Sequence, residues 1–448
     1  MKVQSAKVSR TWYSCYPAPE RSPKNFIAHK ERAPMVGRLS LAGRRFPYAV
    51  FVGAALMVFF AATACSGSES ATSEETTTSP ATTSGEATTA EGSVAEVEAA
   101  VESAMEENDL KAALVRVTQN GEEVATVVRG ESMTGVPATE DMHFRSGAVA
   151  ISYLGTVLLQ LVDEDVVELD DTIDAWLPEL PASDRITLRM LANSTSGYVD
   201  YVYMDSFIDT LFKDPFRAWT PDELIKMATD EPLLYEPGTN WSYAHTNFVI
   251  LGEALTAITG KPVDELIHER IVEPLGMEGT ESHQTAEIPE PVLHAYSSER
   301  DTYEESTFWN PSWTIADGAV MISNIRDLAT SARAIGTGEL VSSESHEEQI
   351  GPSLVGLGGP TDTCPEGVCQ EQQPTFYYGI GTVVIGGWVL QNPSFFGYGA
   401  VQAYLPSEDL AIATSATLDE DAEVGLNGGQ KVFEEIAAVL TPDHPPTP

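Results

Sequence analysis

A long, mostly apolar run dominates the hydrophobic pattern of the chain at Phe144–Asp163, which reads FRSGAVAISYLGTVLLQLVD. Apolar residues fall on every face of the helix that this run predicts, which is typical of a helix buried in a core. An acidic cluster, Asp163-Glu164-Asp165, marks where the helix ends. The N-terminus of such a helix favours a nucleophile, because its unpaired N–H groups stabilise developing negative charge.

The segments before this helix predict a helix followed by a hairpin. Val94–Asn108 carries apolar residues at helical spacing. Leu110–Gln119 and Glu123–Val128 are apolar runs on either side of Asn120-Gly121, a strong signal for a tight hairpin turn.

The second half of the chain predicts a helical region and then late strands. Asp200–Thr280 has mostly helical character, whereas Tyr377–Trp388, Ala400–Leu405 and Leu410–Ser415 predict strands. Gly429–Leu440 predicts a last amphipathic helix. We expect an α/β sandwich in which these late elements pack back on the early hairpin, with the helical middle as a second lobe.

The charge of the chain is strongly asymmetric. It contains 25 Lys or Arg and 67 Asp or Glu, and ten of the basic residues but two of the acidic ones precede Cys65. From Cys65 onward, 15 basic residues therefore face 65 acidic ones, a net charge of −50. A body this acidic is a poor partner for nucleic acid or an anionic membrane surface, and we interpret the charge as a solvated surface that maintains solubility.

The N-terminal region predicts export. Arg44 and Arg45 precede an apolar segment, Tyr48–Ala62, and small residues then lead to Cys65. This order is typical of a secretory signal, and its break resembles a bacterial lipobox, so we expect residues 1–64 to be a signal region and Cys65 to carry lipid. The alternative is an uncleaved membrane anchor, for which the segment is short. Either way, the protein would lie outside the cytoplasm, held at the cell membrane.

Four segments follow from this interpretation. Residues 1–34 are basic and featureless, and we interpret them as an over-long start, with Met35 as the working initiator. Residues 65–93 contain Cys65 and a tether rich in Ser, Thr and Glu that cannot bury enough apolar surface to fold. Residues 94–440 form the folded domain, and residues 441–448 are a Pro-rich tail.

Two cysteines remain in the domain, Cys364 and Cys369, in the loop segment CPEGVC. Outside the cytoplasm a local disulfide between them is expected. A metal site would need more ligands than this pair offers, so we expect neither a metal nor another cofactor.

The sequence of the apolar run resembles the serine β-lactamase-related and penicillin-binding protein superfamily, in the branch of class C β-lactamases, DD-peptidases and esterases. The matching segments are FRSGAVAI at 144–151 and LDDTIDAWLP at 169–178. The family reads F-R-I-G-S-x-x-K here, so Ala148 replaces its nucleophilic serine and Ile151 its lysine. The resemblance covers residues 95–440 and implies a β-lactamase/transpeptidase-like fold, with an antiparallel sheet flanked by helices and a mostly helical lobe.

Two further family motifs are recognisable but altered. The family's Tyr-x-Asn corresponds to Tyr243-Ala-His245, in which the tyrosine is kept. Its His/Lys-x-Gly corresponds to Gln391-Asn-Pro393, where a neutral amide replaces the cation and a proline replaces the glycine. A half-buried phenol with a hydrogen-bond partner is the alternative interpretation of Tyr243.

The resemblance also suggests which residues border the cleft. Ser196 lies in ITLRMLANSTSG at 186–197, which matches a family segment, although a helix stop and turn is the plainer interpretation of this region. Trp388, Phe395 and Phe396 flank the third motif, and they decide whether the cleft is open or filled.

The chemistry of acyl transfer cannot be assembled from these positions. It requires a nucleophile, a base and an oxyanion hole. Ala148 has no side-chain oxygen and Ile151 no nitrogen, and no lysine occurs between Lys111 and Lys213. A one-residue shift of the alignment therefore cannot restore the motif.

Three hypotheses follow. The leading one is a catalytically inactive relative whose cleft binds peptidoglycan-like peptides, β-lactam-shaped ligands or a partner protein. The second is an active esterase, DD-peptidase or β-lactamase-like enzyme with an unusual constellation that uses Tyr243 and His245. The third is an interaction lipoprotein with a closed cleft. The sequence leaves the oligomeric state open.

Overall fold

The computed structural model describes residues 90–282 and 285–447, and these residues belong to one compact unit. The helices are α1 (Ala90–Glu107), α2 (Ala150–Asp163), α3 (Leu188–Ala192), α4 (Asp205–Lys213), α5 (Pro221–Thr229), α6 (His245–Thr259), α7 (Val263–Ile267), α8 (Glu273–Leu275), α9 (Ile325–Thr337), α10 (Ser343–Ile350) and α11 (Gly428–Leu440). The strands are β1 (Leu110–Gln119), β2 (Glu122–Met133), β3 (Val136–Pro137), β4 (Phe144–Gly147), β5 (Glu281–Ser282), β6 (Tyr296–Ser297), β7 (Glu304–Glu305), β8 (Met321–Ser323), β9 (Phe376–Tyr378), β10 (Val383–Ile385), β11 (Trp388–Gln391), β12 (Ser394–Phe395), β13 (Tyr398–Leu405) and β14 (Leu410–Leu418).

An antiparallel sheet joins the two ends of the described chain. Its strand order is β3-β2-β1-β14-β13-β11-β10-β9, with β12 paired to β13. The late strand β14 pairs with the early strand β1, for example Leu114 opposite Ser415. The predicted packing of late strands on the early hairpin is thus confirmed.

Helices cover both faces of this sheet, because side chains alternate along a strand. On β13, Gln402 and Tyr404 contact α9, through Ser331 and Gly336 respectively. Gly399 has the opposite parity and lies against Gly429 at the start of α11. Helix α1 packs on α11 and on the β1–β2 hairpin.

The predicted buried helix is shorter than expected. Phe144–Gly147 is strand β4, paired with β8 so that Phe144 lies opposite Ser323, and α2 begins at Ala150. Pairing with a distant strand overrides the local helical pattern, and Gly147 makes the turn with a φ of 48° that favours glycine. The rest of the expectation holds, since most of α2 is buried.

Other boundaries also differ from prediction. Helix α1 begins four residues before Val94, inside the predicted tether, and β2 extends past Val128 to Met133. The single strand expected at Tyr377–Trp388 is instead divided among β9, β10 and the first residue of β11. Gly386 and Gly387, with φ of 57° and 90°, form the tight turn that ends β10.

The middle of the chain is helical, as predicted, from α4 to α8. The expected Pro-rich tail at 441–448 packs on the domain where it is described, because the carbonyl oxygen of His444 accepts a hydrogen bond from Trp388 Nε1 at 2.9 Å. Within 90–282 and 285–447, no helix combines the length and apolar character needed to cross a membrane. The predicted signal region, Cys65 and most of the tether lie outside the described residues.

Candidate active-site cleft

A pocket of about 130 Å³ opens where the β4–α2 turn, the start of α6 and the strand β12 meet. All three altered motifs reach it, although Ala148 and Pro393 are 245 residues apart in sequence. The lining residues are Gly147, Ala148, Tyr243, His245, Trp313, Thr314, Gln391, Asn392, Pro393, Ser394, Phe395, Gly425 and Asn427.

Ala148 lies in the turn that connects β4 to α2, and its methyl group is half-buried at the pocket wall. Its carbonyl oxygen accepts a hydrogen bond from Ile151 N at 3.0 Å, which places the two residues one tight turn apart. Ile151 does not line the pocket and is only 1% exposed within the core. The position of the family's lysine is therefore occupied by buried hydrocarbon.

Gln391 ends strand β11 beside the pocket and is 3% exposed. Its Nε2 donates to the carbonyl oxygen of Gly381 at 2.6 Å. The loop at Gly381 packs closely on α2, since a Cβ at Gly155 would lie 2.6 Å from the carbonyl oxygen of Ile380. The amide nitrogen at the family's cation position is thus tied to the protein backbone.

Pro393 lies directly over the turn before Ala148, with its Cβ 3.5 Å from where a Cβ on Gly147 would be. Its carbonyl oxygen accepts hydrogen bonds from Ala400 N at 3.0 Å and Asn427 Nδ2 at 3.2 Å. The pyrrolidine ring supplies no N–H donor to this wall of the cleft.

His245, the first residue of α6, is held by a carboxylate that sequence reasoning missed. Its Nδ1 lies 2.9 Å from Asp200 Oδ2, and both side chains are 5% exposed. Asp200 also accepts a hydrogen bond from Val202 N at 3.2 Å. A single Asp among the apolar and aromatic residues at 198–203 was the available signal, because a buried carboxylate is rare unless it is paired.

Aromatic rings form the sides of the pocket in a continuous series. Tyr243 is half-buried, and its ring centroid lies 5.1 Å from that of His245. His245 lies 6.4 Å from Trp313, which stacks on Phe395 at 6.0 Å. Trp313 is fixed from behind by Tyr201, whose hydroxyl donates to its carbonyl oxygen at 2.6 Å.

A buried cation lies behind this aromatic wall. Arg145 has its guanidinium 5.6 Å from the ring centroid of Phe395 and does not line the pocket. Its Nη2 donates to the carbonyl oxygen of Ala286 at 2.7 Å, and burial lowers the pKa of Arg145 to about 10. Phe395 therefore separates this charge from the cleft.

Two aliphatic hydroxyl groups line the pocket, those of Thr314 and Ser394, and each donates to a backbone carbonyl oxygen rather than to a basic side chain. Thr314 Oγ1 donates to the carbonyl oxygen of Pro311 at 2.9 Å, and Ser394 Oγ donates to that of Tyr398 at 3.4 Å. Ser152, on α2, donates to the carbonyl oxygen of Val149 at 2.7 Å and does not reach the pocket.

Three of the expected cleft residues lie elsewhere. Ser196 is fully buried and donates to Asn247 Oδ1 at 2.5 Å. Trp388 packs on Phe433 of α11, on the other side of the sheet, because the alternation of β11 points it there. Phe396 packs behind the pocket against Trp309, at 4.7 Å between ring centroids. Of the three aromatic residues expected beside the third motif, Trp388, Phe395 and Phe396, only Phe395 lines the cleft.

The predicted cysteine pair is joined by a disulfide, Cys364–Cys369. Its loop packs beside the segment that leads to Tyr243, since Ser242 Oγ donates to the carbonyl oxygen of Val368 at 3.0 Å. No group of three or more His, Cys, Asp or Glu side chains in the described ranges is arranged to hold a metal ion.

The arrangement can surround a small group with aromatic rings and polar atoms. It contains a histidine backed by a carboxylate, and neither Thr314 nor Ser394 has its hydroxyl hydrogen-bonded to that histidine. Acyl transfer through a covalent intermediate needs such a contact.

The comparison with protein families agrees with the fold. A family model described as Beta-lactamase matches residues 97–433. A solved structure, the D-stereospecific amidohydrolase from Streptomyces sp., superposes with a TM-score of 0.65 and 26% identity, over 78% of this chain and 99% of that chain.

Curated relatives match over shorter segments. Penicillin-binding protein 4 of Amycolatopsis lactamdurans is 33% identical over 165 residues, which is 36% of this chain and 40% of that protein. A D-aminopeptidase of Brucella anthropi is 30% identical over 174 residues, 38% of this chain and 32% of that protein. The matches therefore span less than half the length of either relative.

Proposed function

The chain belongs to the beta-lactamase family, and from that premise we propose that it is a member which has lost acyl transfer and retains a ligand-binding cleft. The ligands would be cell-wall peptides or a partner protein. The relatives named above, a penicillin-binding protein and a D-aminopeptidase, support the choice of peptide-like ligands.

The observation that carries the proposal is the side-chain chemistry of the β4–α2 turn. Ala148 faces the pocket at the family's nucleophile position, and Ile151 is buried one turn later at the position of the base. Serine enzymes lose about a million-fold in rate when the nucleophile is removed. Gln391 and Pro393, which line the same pocket, are altered at the third family motif and support the same conclusion.

We place this protein outside the cytoplasm, held at the membrane by lipid on Cys65. The signal-like N-terminus and the lipobox-like break support this part of the proposal. Incorporation of labelled fatty acid by the producing cell should occur in the wild type and be absent in Cys65→Ser. Incorporation that persists in this variant would contradict an anchor at Cys65.

A fluorescent penicillin tests the loss of acyl transfer. The full-length protein should show no label that survives denaturation, because no side chain at position 148 can be acylated. An active penicillin-binding protein labelled in parallel is the positive control. A covalent label on this protein would refute the proposal, and its loss in Ser394→Ala would identify the serine responsible.

The Asp200–His245 pair favours the second candidate function, an active hydrolase with an unusual constellation. A carboxylate that fixes a histidine beside a pocket is one part of a general base. This candidate predicts turnover of activated esters or D-amino acid amides that falls at least about a hundred-fold in His245→Asn.

The matched control for this test is His294→Asn. His294 Nδ1 also lies close to a carboxylate, 2.6 Å from Glu305 Oε1, but it does not line the pocket. Turnover lost in both variants would indicate misfolding. No turnover in the wild type would eliminate the active-enzyme candidate.

A further inference from the structure

Three polar side chains of the pocket, those of Thr314, Gln391 and Ser394, have donor groups that point away from it. Gln391 Nε2 donates to Gly381 and Thr314 Oγ1 donates to Pro311, in each case to a backbone carbonyl oxygen. Ser394 Oγ does the same toward the carbonyl oxygen of Tyr398. An amide or hydroxyl whose hydrogen is used in this way offers its oxygen lone pairs to a ligand.

The charged residues around the pocket also disfavour an anionic ligand. No Lys or Arg is among the described residues that line it, and the guanidinium of Arg145 lies behind Phe395. The Asp200 carboxylate lies behind His245, and the chain from Cys65 onward carries a net charge of −50, from 15 basic and 65 acidic residues. A ligand carboxylate would therefore meet these acceptor oxygens without a Lys or Arg in the lining to pair with it.

We propose that the cleft selects small ligands that present N–H donors, either a primary amide or an ammonium group on an apolar ring, and that it excludes carboxylates. This inference rests on the proposed non-catalytic binding function. The aromatic series of Tyr243, Trp313 and Phe395 would surround the apolar part, and an ammonium would also be stabilised by the ring faces. The volume of about 130 Å³ is close to that of an apolar cavity which accepts benzene, about 150 Å³.

One feature of the site opposes this selection. Ala148 lies directly before the N-terminus of α2, whose N-cap is Val149, and helix N-termini favour negative charge. A ligand with a carbonyl oxygen can accept hydrogen bonds from N–H groups at this helix N-terminus. If it also carries an N–H donor, it can donate to the oxygen acceptors of the pocket at the same time. A primary amide is accordingly expected to bind at least as tightly as an amine.

A matched series of three ligands with one ring tests the inference on the full-length protein: benzamide, benzylamine and benzoate. Calorimetric or ligand-observed NMR titrations at neutral pH should show that benzamide and benzylamine bind at least ten-fold more tightly than benzoate. Equal or tighter binding of benzoate would overturn the inference, and so would the absence of binding by all three at millimolar concentration. Neither result would create a penicillin label, so failure here is distinguishable from failure of the proposed function.

Two variants test whether this preference among ligands arises from the residues of the cleft. Gln391→Lys should invert the order, with benzoate gaining at least ten-fold and benzylamine losing at least ten-fold. Thr314→Val, which keeps the side-chain shape, should weaken the binding of benzamide about three-fold and leave the binding of benzoate unchanged. This variant provides the test if Gln391→Lys does not fold.

Thr210→Val is the control, because Thr210 also donates to a backbone carbonyl oxygen, that of Ser206 at 2.8 Å, but lies on α4 and does not line the pocket. It should change no affinity. An unchanged ligand order in Gln391→Lys together with unchanged benzamide binding in Thr314→Val would overturn the assignment to this cleft.

Discussion

The turn into α2, residues 148–151, and the helical turn that follows it, residues 152–156, treat buried polarity in opposite ways. Ala148 and Ile151, at the start of the helix, are hydrocarbon at positions where the family carries a hydroxyl and an amine. Ser152, Tyr153 and Thr156 follow at once, and all three are buried and polar. The two turns pack in the same core, so the difference lies in what each polar group would contact.

The second turn is part of a connected set of hydrogen bonds, here named the polar layer, of Ser152, Tyr153, Ser331 and Gln402. Tyr153 OH donates to Ser331 Oγ at 2.8 Å, and Ser331 Oγ donates to Gln402 Oε1 at 2.6 Å. Gln402 Nε2 donates to Ser152 Oγ at 3.3 Å. The layer connects α2, α9 and β13, so its polar groups have a structural role that does not depend on catalysis.

This chain keeps buried polar groups where other protein atoms form hydrogen bonds with them. It has apolar side chains at positions 148 and 151, where only the catalytic chemistry of the family would require polar groups. A buried ammonium at position 151 would have to be compensated, whereas isoleucine adds to the core. The family fold therefore survives without the cost of maintaining a charged site.

The largest expected effect comes from placing a charged side chain at position 151, where the chain has isoleucine. Ile151→Lys should lower the free energy of unfolding by about 3 kcal/mol or more, because it buries an ammonium without a counter-charge. Ile151→Met, which conserves volume and polarity, should cost less than about 1.5 kcal/mol. Urea unfolding at neutral pH measures both, and equal stabilities for the two variants would contradict the account of this turn.

A smaller effect is expected from interrupting the polar layer. Gln402→Leu removes the acceptor of Ser331 and the donor to Ser152, and should lower the free energy of unfolding by about 2 kcal/mol. Gln373→Leu alters an exposed glutamine and should change it by less than about 0.5 kcal/mol. If the two variants unfold at the same urea concentration, the layer is not stabilising.

The smallest effect concerns Tyr153 of the polar layer, whose contribution to stability should depend on pH. Tyr153→Phe should cost about 1 kcal/mol at neutral pH. Burial raises the pKa of Tyr153 above its ordinary value of 10.0, so the neutral phenol stabilises the fold below pH 10 and this contribution is lost as the pH rises toward the folded-state pKa.

The difference in stability between wild type and Tyr153→Phe should therefore shrink as the pH rises above 10. Urea unfolding at pH 7 and at pH 10.5 measures it. A difference that grows with pH would reverse the sign and refute the assignment of a buried, neutral phenol.

The residues that identify the family and its altered chemistry could all be found in the sequence. The buried helix, the Asn120-Gly121 hairpin and the order of the motifs are local patterns, since periodicity and turn preference depend on neighbouring residues. The absence of a hydroxyl at Ala148 and of an amine at Ile151 is a matter of residue identity alone. No folding of the chain can supply those groups.

Other features depended on contacts between distant segments. Strand β4 replaced the start of the predicted helix because it pairs with β8, more than 170 residues later. Trp388 turned toward α11 because of the strand's alternation, and Asp200 reached His245 across 45 residues. Strand pairing, the face a side chain takes and the partner of a buried charge are decided by which surfaces meet, and that information exists only in the folded chain.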